Sequence, residues 1–406
     1  MPLIGGMALA NYRVTGEKPV AVLSYGAFAK NESNLHNYWP DENYYLLDEE
    51  TNTLKEKIEF GHIDFVSSVC PCAGMSCLNT ATRSCDNETN NWLYKVADFT
   101  LGTIKPDVYW GENAPGLYSE QNASVIEKLR GYCKKYGYTF SIIKTDTYLH
   151  GIPQHRVRTF FFCWKGNRTP LISWRNEKSE PFRTWILDKN KGIQSDHWFL
   201  NPNPFELYPE MYWLMERNSL NTYSDYVNMF YELDEKYPQY SLKTPYDYIQ
   251  KFDLWAEYRS WLEKYPYKDR PEAENGSRTP WYYVNYRWDK VKKGMGYFAR
   301  QPIVYKDATN AIISKNMHFI LHPVESRFLS TREIMALMGL PDDFELISNN
   351  LQNVTQNVPV KTASDITEEV VKYLNGDLEM TNSDFVMQNN MTQKIDHIER
   401  TVYTLF

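Results

Sequence analysis

Ile63-Asp64-Phe65-Val66-Ser67-Ser68-Val69-Cys70-Pro71-Cys72 is the stretch on which the reading turns. Its apolar start reads as a buried strand, and Pro71 ends it with a cysteine immediately beyond. Pro71 is followed 40 residues later by Gly111-Glu112-Asn113 and, 42 residues after Glu112, by Gln154-His155-Arg156-Val157-Arg158. The glutamate follows the apolar run Asp107-Val108-Tyr109-Trp110, introduced by Lys105-Pro106. A thiol, a carboxylate and two guanidiniums at strand ends suit covalent attack on a ring whose negative charge is stabilised as it forms.

Working outward, further short apolar runs read as strands: Val20-Ala21-Val22-Leu23, Phe140-Ser141-Ile142-Ile143 and Thr159-Phe160-Phe161-Phe162-Cys163-Trp164. Between them, Trp92-Leu93 with Val96-Ala97, Phe99 and Leu101, and Val125-Ile126 with Leu129 and Tyr132-Cys133, have helical spacing. Strands alternating with helices predict a doubly wound, mostly parallel α/β sheet, in which chemistry gathers at the carboxyl ends of the strands. After Lys165 the alternation stops. Residues 167–310 are rich in Trp, Tyr, Pro and Asn and read as a separate, irregular domain. Helical order returns near Asn310. Ser330-Thr331-Arg332-Glu333 has the form of a capping box, with Gly339 and Pro341 as stop signals. A last helix is expected over about 362–374, and the polar stretch 376–406 reads as a loosely held tail.

Composition bounds the answer. The 406 residues suffice for two domains, and 42% hydrophobic with 23% charged residues is ordinary for a soluble globular chain. No run of about 18 apolar residues predicts a membrane helix. The N-terminus lacks a basic region before its short apolar run and does not read as a signal peptide, so a cytoplasmic location is expected. Six cysteines are too sparse for a disulfide scaffold. Cys70 and Cys72 are spaced too closely for a usual zinc pair, and no metal is expected. The net charge of 44 − 51 = −7 weighs lightly against nucleic acid, since a basic cleft can sit on an acidic body.

With these motifs in order, the chain resembles the cytosine-C5 DNA methyltransferases. Val69-Cys70-Pro71-Cys72-Ala73-Gly74-Met75-Ser76 is similar to the family's nucleophile loop, Glu112-Asn113 to its glutamate motif, and Gly151-Ile152-Pro153-Gln154-His155-Arg156-Val157-Arg158 to its Gln-x-Arg-x-Arg motif. Arg327 to Glu333, with Gly339-Leu340-Pro341-Asp342-Asp343-Phe344, looks like the segment supporting a recognition domain. Gln356-Asn357-Val358-Pro359-Val360 looks like the closing cofactor motif. The resemblance covers residues 1–166 and 310–375. It implies a Rossmann-like methyltransferase sheet, with a catalytic domain over 1–166, an inserted target-recognition domain over 167–310, a return to the catalytic domain over 311–375 and a tail over 376–406.

The resemblance also implies roles. Cys72 would add to carbon 6 of a cytosine flipped out of double-stranded DNA. Glu112 would hold a proton against ring nitrogen 3. Arg158 would stabilise the base oxygen, and Arg156 would support that geometry or a phosphate. The methyl donor would be S-adenosylmethionine, near Gly5, Gly6, Asp48, Leu93 and Asn357. Two features depart from the family. Only three residues precede Ile4-Gly5-Gly6-Met7, and Ser24-Tyr25-Gly26 stands where a ribose-binding acid is usual. They leave open a modified donor or a catalytically impaired homologue. A tRNA cytosine-C5 methyltransferase is a further alternative, against which the large insert weighs. Singly, each residue has a plainer explanation: a buried cysteine, a helix-capping glutamate, solvated arginines. Monomeric action on DNA in a bacterial or phage-infected cell is the expectation, with restriction–modification, phage and orphan settings all open. The basic stretch Arg287, Lys290, Lys292, Lys293 and Arg300, interleaved with aromatics, suits nucleic acid or a solvated face equally.

Overall fold

The structure, a computed structural model, describes residues 4–25, 29–47, 61–70, 91–189, 204–264, 293, 301–313, 316–347 and 351–400. It divides into two compact units, Met1–Glu180 with Met335–Phe406, and Pro181–Ile334. In the first unit the strands used below are β1 (Val22–Tyr25), β2 (Tyr44–Leu47), β3 (Phe65–Val69), β4 (Val108–Asn113), β5 (Tyr138–Asp146), β6 (Val157–Lys165), β7 (Ser383–Asn389) and β8 (Lys394–Arg400). Its helices are α1 (Gly6–Thr15), α2 (Ala29–Tyr38), α3 (Asn91–Phe99), α4 (Ala123–Tyr136), α5 (Leu351–Gln356) and α6 (Val360–Asn375).

Six strands form one sheet in the order β8-β7-β5-β6-β4-β3, and β1 pairs with β2 in a separate parallel pair. The expected apolar runs are strands, and the two expected helices are α3 and α4. The α/β class holds, but the large sheet is mixed. β3–β4 and β5–β7 are parallel, while β4–β6, β5–β6 and β7–β8 are antiparallel. The cause lies in the connection. β5 returns as β6 through the short segment 147–156, where a parallel neighbour needs a longer, usually helical, crossover.

β4 and β6 are buried on both faces, which is why they read as continuous apolar runs. Tyr109, Trp110, Phe160, Phe161, Phe162 and Trp164 are fully buried, each worth about 1.5–3 kcal/mol of transfer free energy. The Trp164 indole N–H donates to Ser141 Oγ at 2.8 Å, so its polar edge is satisfied. Gly111 is required by close approach. A Cβ there would stand 2.5 Å from the Phe161 ring and 2.8 Å from the Ser68 carbonyl oxygen.

The stretch expected as a loose tail is instead part of the sheet. β7 pairs in parallel with β5, and β8 closes over it as a hairpin. Phe385 and Val386 are buried, and the Phe385 ring stacks on Phe140 at 5.9 Å. Asn390 Nδ2 donates to Thr145 Oγ1 at 2.9 Å. The polar composition misled because few apolar residues are needed to cover a sheet edge once the backbone supplies the ladder.

Residues 167–180, expected in the insert, also belong to the first unit. Ile172 N–H donates to Gln388 Oε1 and Ser173 N–H to Glu369 Oε2, both at 2.8 Å. In the second unit the expectation of irregular structure gives way, among the described residues, to helices at Pro209–Arg217, Tyr223–Lys236, Pro245–Lys251 and Trp255–Lys264. A Thr222–Asp225 capping box starts one and Thr244 caps another. Their aromatics, which broke the expected pattern, are core: Trp213, Tyr226, Phe230 and Tyr258 are buried. The Ser330–Glu333 capping box forms as expected, with Ser330 N–H donating to Glu333 Oε2 at 2.7 Å and Glu333 N–H to Ser330 Oγ at 3.2 Å. The helix Thr331–Leu337 follows it.

Candidate active site

Glu112 stands near the carboxyl end of β4, opposite Val69 of β3 and Phe160 of β6. The strand position buries it, and its Oε1 forms an ion pair with Arg158, 2.7 Å from Nε. Arg158 comes from β6, whose antiparallel course brings it back to the same end of the sheet. One terminal nitrogen, Nη1, donates to the Val157 carbonyl at 2.8 Å. Among the described residues, no hydrogen bond is made by Glu112 Oε2 or Arg158 Nη2. The pair therefore offers one carboxylate oxygen and one cationic donor side by side. That arrangement can hold a proton on a ring nitrogen and stabilise charge on an adjacent oxygen.

Cys72 and Asp48 lie outside the described residues. The neighbouring thiol, Cys70, is buried, 3.7 Å from Ser68 Oγ, which in turn is 2.9 Å from the Tyr109 hydroxyl. Burial pushes its pKa up, so it behaves as a small core residue and not as a nucleophile.

Arg156 is expected to support the catalytic geometry or a phosphate. It is buried, and its Nη2 donates to the carbonyls of Thr355 at 2.9 Å and Asn357 at 3.0 Å. Its backbone N–H donates to Asp146 Oδ1 at 2.8 Å. These bonds tie the guanidinium to the backbone of α5 and its exit. Asn357 in turn accepts at Oδ1 from Gly6 N–H at 3.0 Å at the start of α1. No sequence spacing announces this link, since the partners are 351 residues apart.

Gly5, with φ +101, makes the left-handed turn into α1. At Gly6 a Cβ would stand 2.2 Å from Asn357 Nδ2 and 2.5 Å from the Val358 carbonyl oxygen, so only glycine fits. Asn357 Nδ2 and Ser24 Oγ are buried polar atoms without a partner among the described residues. The orphaned Asn357 amide and the N-terminus of α1 fit the polar parts of a nucleoside donor by hydrogen bonding, and Ser24 offers a hydroxyl where a carboxylate is usual in the family. Leu93, expected near the donor, is fully buried and belongs to the same core cluster as Cys70, Tyr109, Leu129 and Phe161. His62, Asp64 and Asp107 bring potential metal-ligand atoms within 4.8 Å of one another, but at the opposite ends of β3 and β4 from Glu112. Asp107 is also held by Lys165 Nζ at 2.9 Å.

A mixed α/β sheet with its glutamate and arginine at one end defines a Rossmann-like methyltransferase fold. A crystal structure described as that of a DNA modification methyltransferase encoded within a prophage (E. coli) shares this fold, with a TM-score of 0.53 at 15% identity, covering 92% of this chain and 97% of that one. The chain belongs to the C-5 cytosine-specific DNA methylase family, whose model matches residues 27–372. It is 30% identical over 153 residues to the type II methyltransferase M1.BsuMI of Bacillus subtilis (36% of this chain, 34% of that protein). It is 22% identical over 292 residues to the type II methyltransferase M.NmeDI of Neisseria meningitidis serogroup C (69% and 57%). A third relative, the type II methyltransferase M.AgeI of Thalassovita gelatinovora, is 29% identical over 102 residues (25% and 23%). The matched stretches thus span from about a quarter to just over half of these curated relatives. No helix among the described residues is long and apolar enough to cross a membrane.

Proposed function

We propose that this chain methylates carbon 5 of cytosine in double-stranded DNA. The observation that carries the reading is the Glu112–Arg158 pair at the carboxyl end of β4, beside the end of the strand that leads into Cys70-Pro71-Cys72. Cytosine carbon 5 is a poor nucleophile. The Cys72 thiolate adds to carbon 6 of a flipped base, and electron density moves through the ring toward nitrogen 3 and the base oxygen. Glu112, protonated at that moment, gives its proton or a strong hydrogen bond to nitrogen 3. Arg158 Nη2 meets the oxygen while Nε holds Glu112 in place. Carbon 5 of the adduct would then take the methyl group, whose bond to the donor's sulfonium sulfur breaks so that a neutral thioether leaves; a base removes the carbon-5 proton, and the Cys72 sulfur leaves carbon 6. S-adenosylmethionine, when bound, supplies the electrophilic methyl group. Gly5, Gly6, Asn357 and Ser24 are the described residues that would hold it, with Asp48 in the same role. Residues 181–334 serve as the target-recognition unit, and the enzyme acts as a cytoplasmic monomer of the restriction–modification type.

The test is trapping on DNA containing 5-fluorocytosine, whose fluorine cannot leave as a proton does. A covalent complex should form with the wild-type chain and not with Cys72→Ser. No complex across several DNA pools would overturn the reading. Trapping on tRNA and not on DNA would move it to an RNA substrate. The hydroxyl at Ser24 favours a second reading, a donor other than unmodified S-adenosylmethionine. Calorimetry with S-adenosylmethionine, and mass spectrometry of cytosines from expressing cells, decide between the two.

A further inference from the structure

At the amino-terminal ends of β3 and β4, two strand entries bring three ligand-type side chains together. Asp107 N–H donates to the Ile63 carbonyl at 3.2 Å, and Val108 N–H to the Asp64 carbonyl at 3.0 Å. This ladder sets His62 and Asp64 beside Asp107. Lys165 N–H donates to the Asp107 carbonyl at 3.0 Å, so the Asp107 backbone is held from both sides. His62 Nε2 stands 3.2 Å from Asp107 Oδ2 and 3.6 Å from Asp64 Oδ1. The three atoms all lie within 4.8 Å of one another. The other oxygen of Asp107, Oδ1, accepts from Lys165 Nζ at 2.9 Å, which turns Oδ2 toward the imidazole.

An ion pair alone accounts poorly for this convergence. One imidazole nitrogen carries at most one proton, yet two carboxylates face it. His62 and Asp64 are exposed, where such a pair stabilises little. A cation accounts for it better. Around a tetrahedral zinc ion with bonds of 2.0–2.1 Å, neighbouring ligand atoms stand about 3.3–3.4 Å apart. The observed 3.2 and 3.6 Å bracket that spacing. The exposed Asp64 side chain has room to swing its carboxylate inward and close the third edge. One imidazole nitrogen beside two carboxylate oxygens selects zinc-like transition metals, since magnesium and calcium take shells of oxygen. The two carboxylates balance a divalent charge, and Lys165 is the supporting group that orients a ligating carboxylate.

We propose that His62 Nε2, Asp64 Oδ1 and Asp107 Oδ2 bind one divalent transition-metal ion of the zinc class, with the fourth tetrahedral position open to water. The ion ties the entry of β3 to the entry of β4. It thereby fixes the register of two strands, one of which leads to Cys70-Pro71-Cys72 while the other carries Glu112 at its far end.

The test does not involve methyl transfer, so its failure leaves the catalytic reading standing. Calorimetry on the full chain, titrated with zinc chloride, should show a saturable site that magnesium and calcium do not fill. His62→Ala and Asp64→Asn should each weaken it by more than about tenfold, the least that losing even a supporting group costs. Both positions are exposed, so neither change should unfold the chain. Cobalt(II) in place of zinc distinguishes these ligands from thiols, and its spectrum should lack a sulfur-to-metal charge-transfer band. Zinc should slow hydrogen exchange over 61–64 and 105–108 by about tenfold or more in the wild-type chain and not in His62→Ala. No saturable binding, binding of unchanged strength in both variants, or a cobalt spectrum dominated by the sulfur band overturns the proposal.

Discussion

In the proposed reaction Glu112 and Arg158 divide the work of charge stabilisation, and substitutions should separate their shares. Glu112→Gln keeps an acceptor for Arg158 Nε but has no proton to give. Its turnover should fall by about 10²–10⁴-fold, the usual contribution of a general acid, with little change in thermal stability. Arg158→Ala removes the oxyanion donor and should cost about 10²–10³-fold in kcat. Arg156→Ala should behave differently, because its guanidinium holds the carbonyls of Thr355 and Asn357. It should raise the KM for the methyl donor more than it lowers kcat, and cost about 1.5–3 kcal/mol of stability in denaturant titration. A fall in kcat alone would make Arg156 catalytic after all. Glu112 and Arg158 were legible in the sequence because each follows or opens a strand run. The work of Arg156 was not, since its partners lie 199 and 201 residues away. The same holds for Leu93, whose apolar character suits a ligand wall and a core position equally well.

Helix α6 shows what an element adds. Its start is threaded through Asn357 to Gly6, and one turn on, Asp365 Oδ2 stands 2.8 Å from His150 Nδ1 while Oδ1 accepts from Lys361 Nζ at 2.7 Å. Burial raises the carboxyl's pKa, but the hydrogen bonds and charges of His150 and Lys361 outweigh it and hold the Asp365 pKa below the ordinary aspartate value. A lowered native pKa means the contribution to stability is fully present above the unfolded value, about 3.9, and is lost as pH falls through the native value. Asp365→Asn should therefore cost about 1.5–3 kcal/mol at neutral pH, with the deficit shrinking below about pH 4. Chemical denaturation at pH 7 and pH 3 measures both; a pH-independent deficit would contradict the assignment. The helix itself could be read from its apolar spacing and from Gly376, which takes φ +80 as its cap. The Asp365 network could not, because a polar residue at a buried helical position is indistinguishable from a solvated one until its partner on another segment is known.

For the whole molecule, the C-terminal hairpin is the largest departure from expectation. Deleting residues 383–406 would uncover the β5 edge and remove buried Phe385 and Val386, each worth about 1.5–3 kcal/mol. The truncated chain should melt several degrees lower and aggregate through the bared edge, as scanning fluorimetry and light scattering would report. An unchanged melting temperature would return the segment to the status of a tail. At this scale the second unit also differs from its reading. Its Trp and Tyr residues disguised helices because bulky aromatics served as core at helical spacing.

What the sequence alone determined was local. Apolar runs marked the strands, Ser330 and Glu333 marked a helix start, and the order of Cys72, Glu112 and the arginines pointed to one chemistry. These signals are local because burial period and capping depend on neighbours a few residues away. Tertiary structure alone decided strand direction, the edge position of β7 and β8, the pairing of Glu112 with Arg158, and the tie from Arg156 through Asn357 to Gly6. Such contacts depend on which segments meet in space, and hydrophobic periodicity reports only that a residue is buried, not against what.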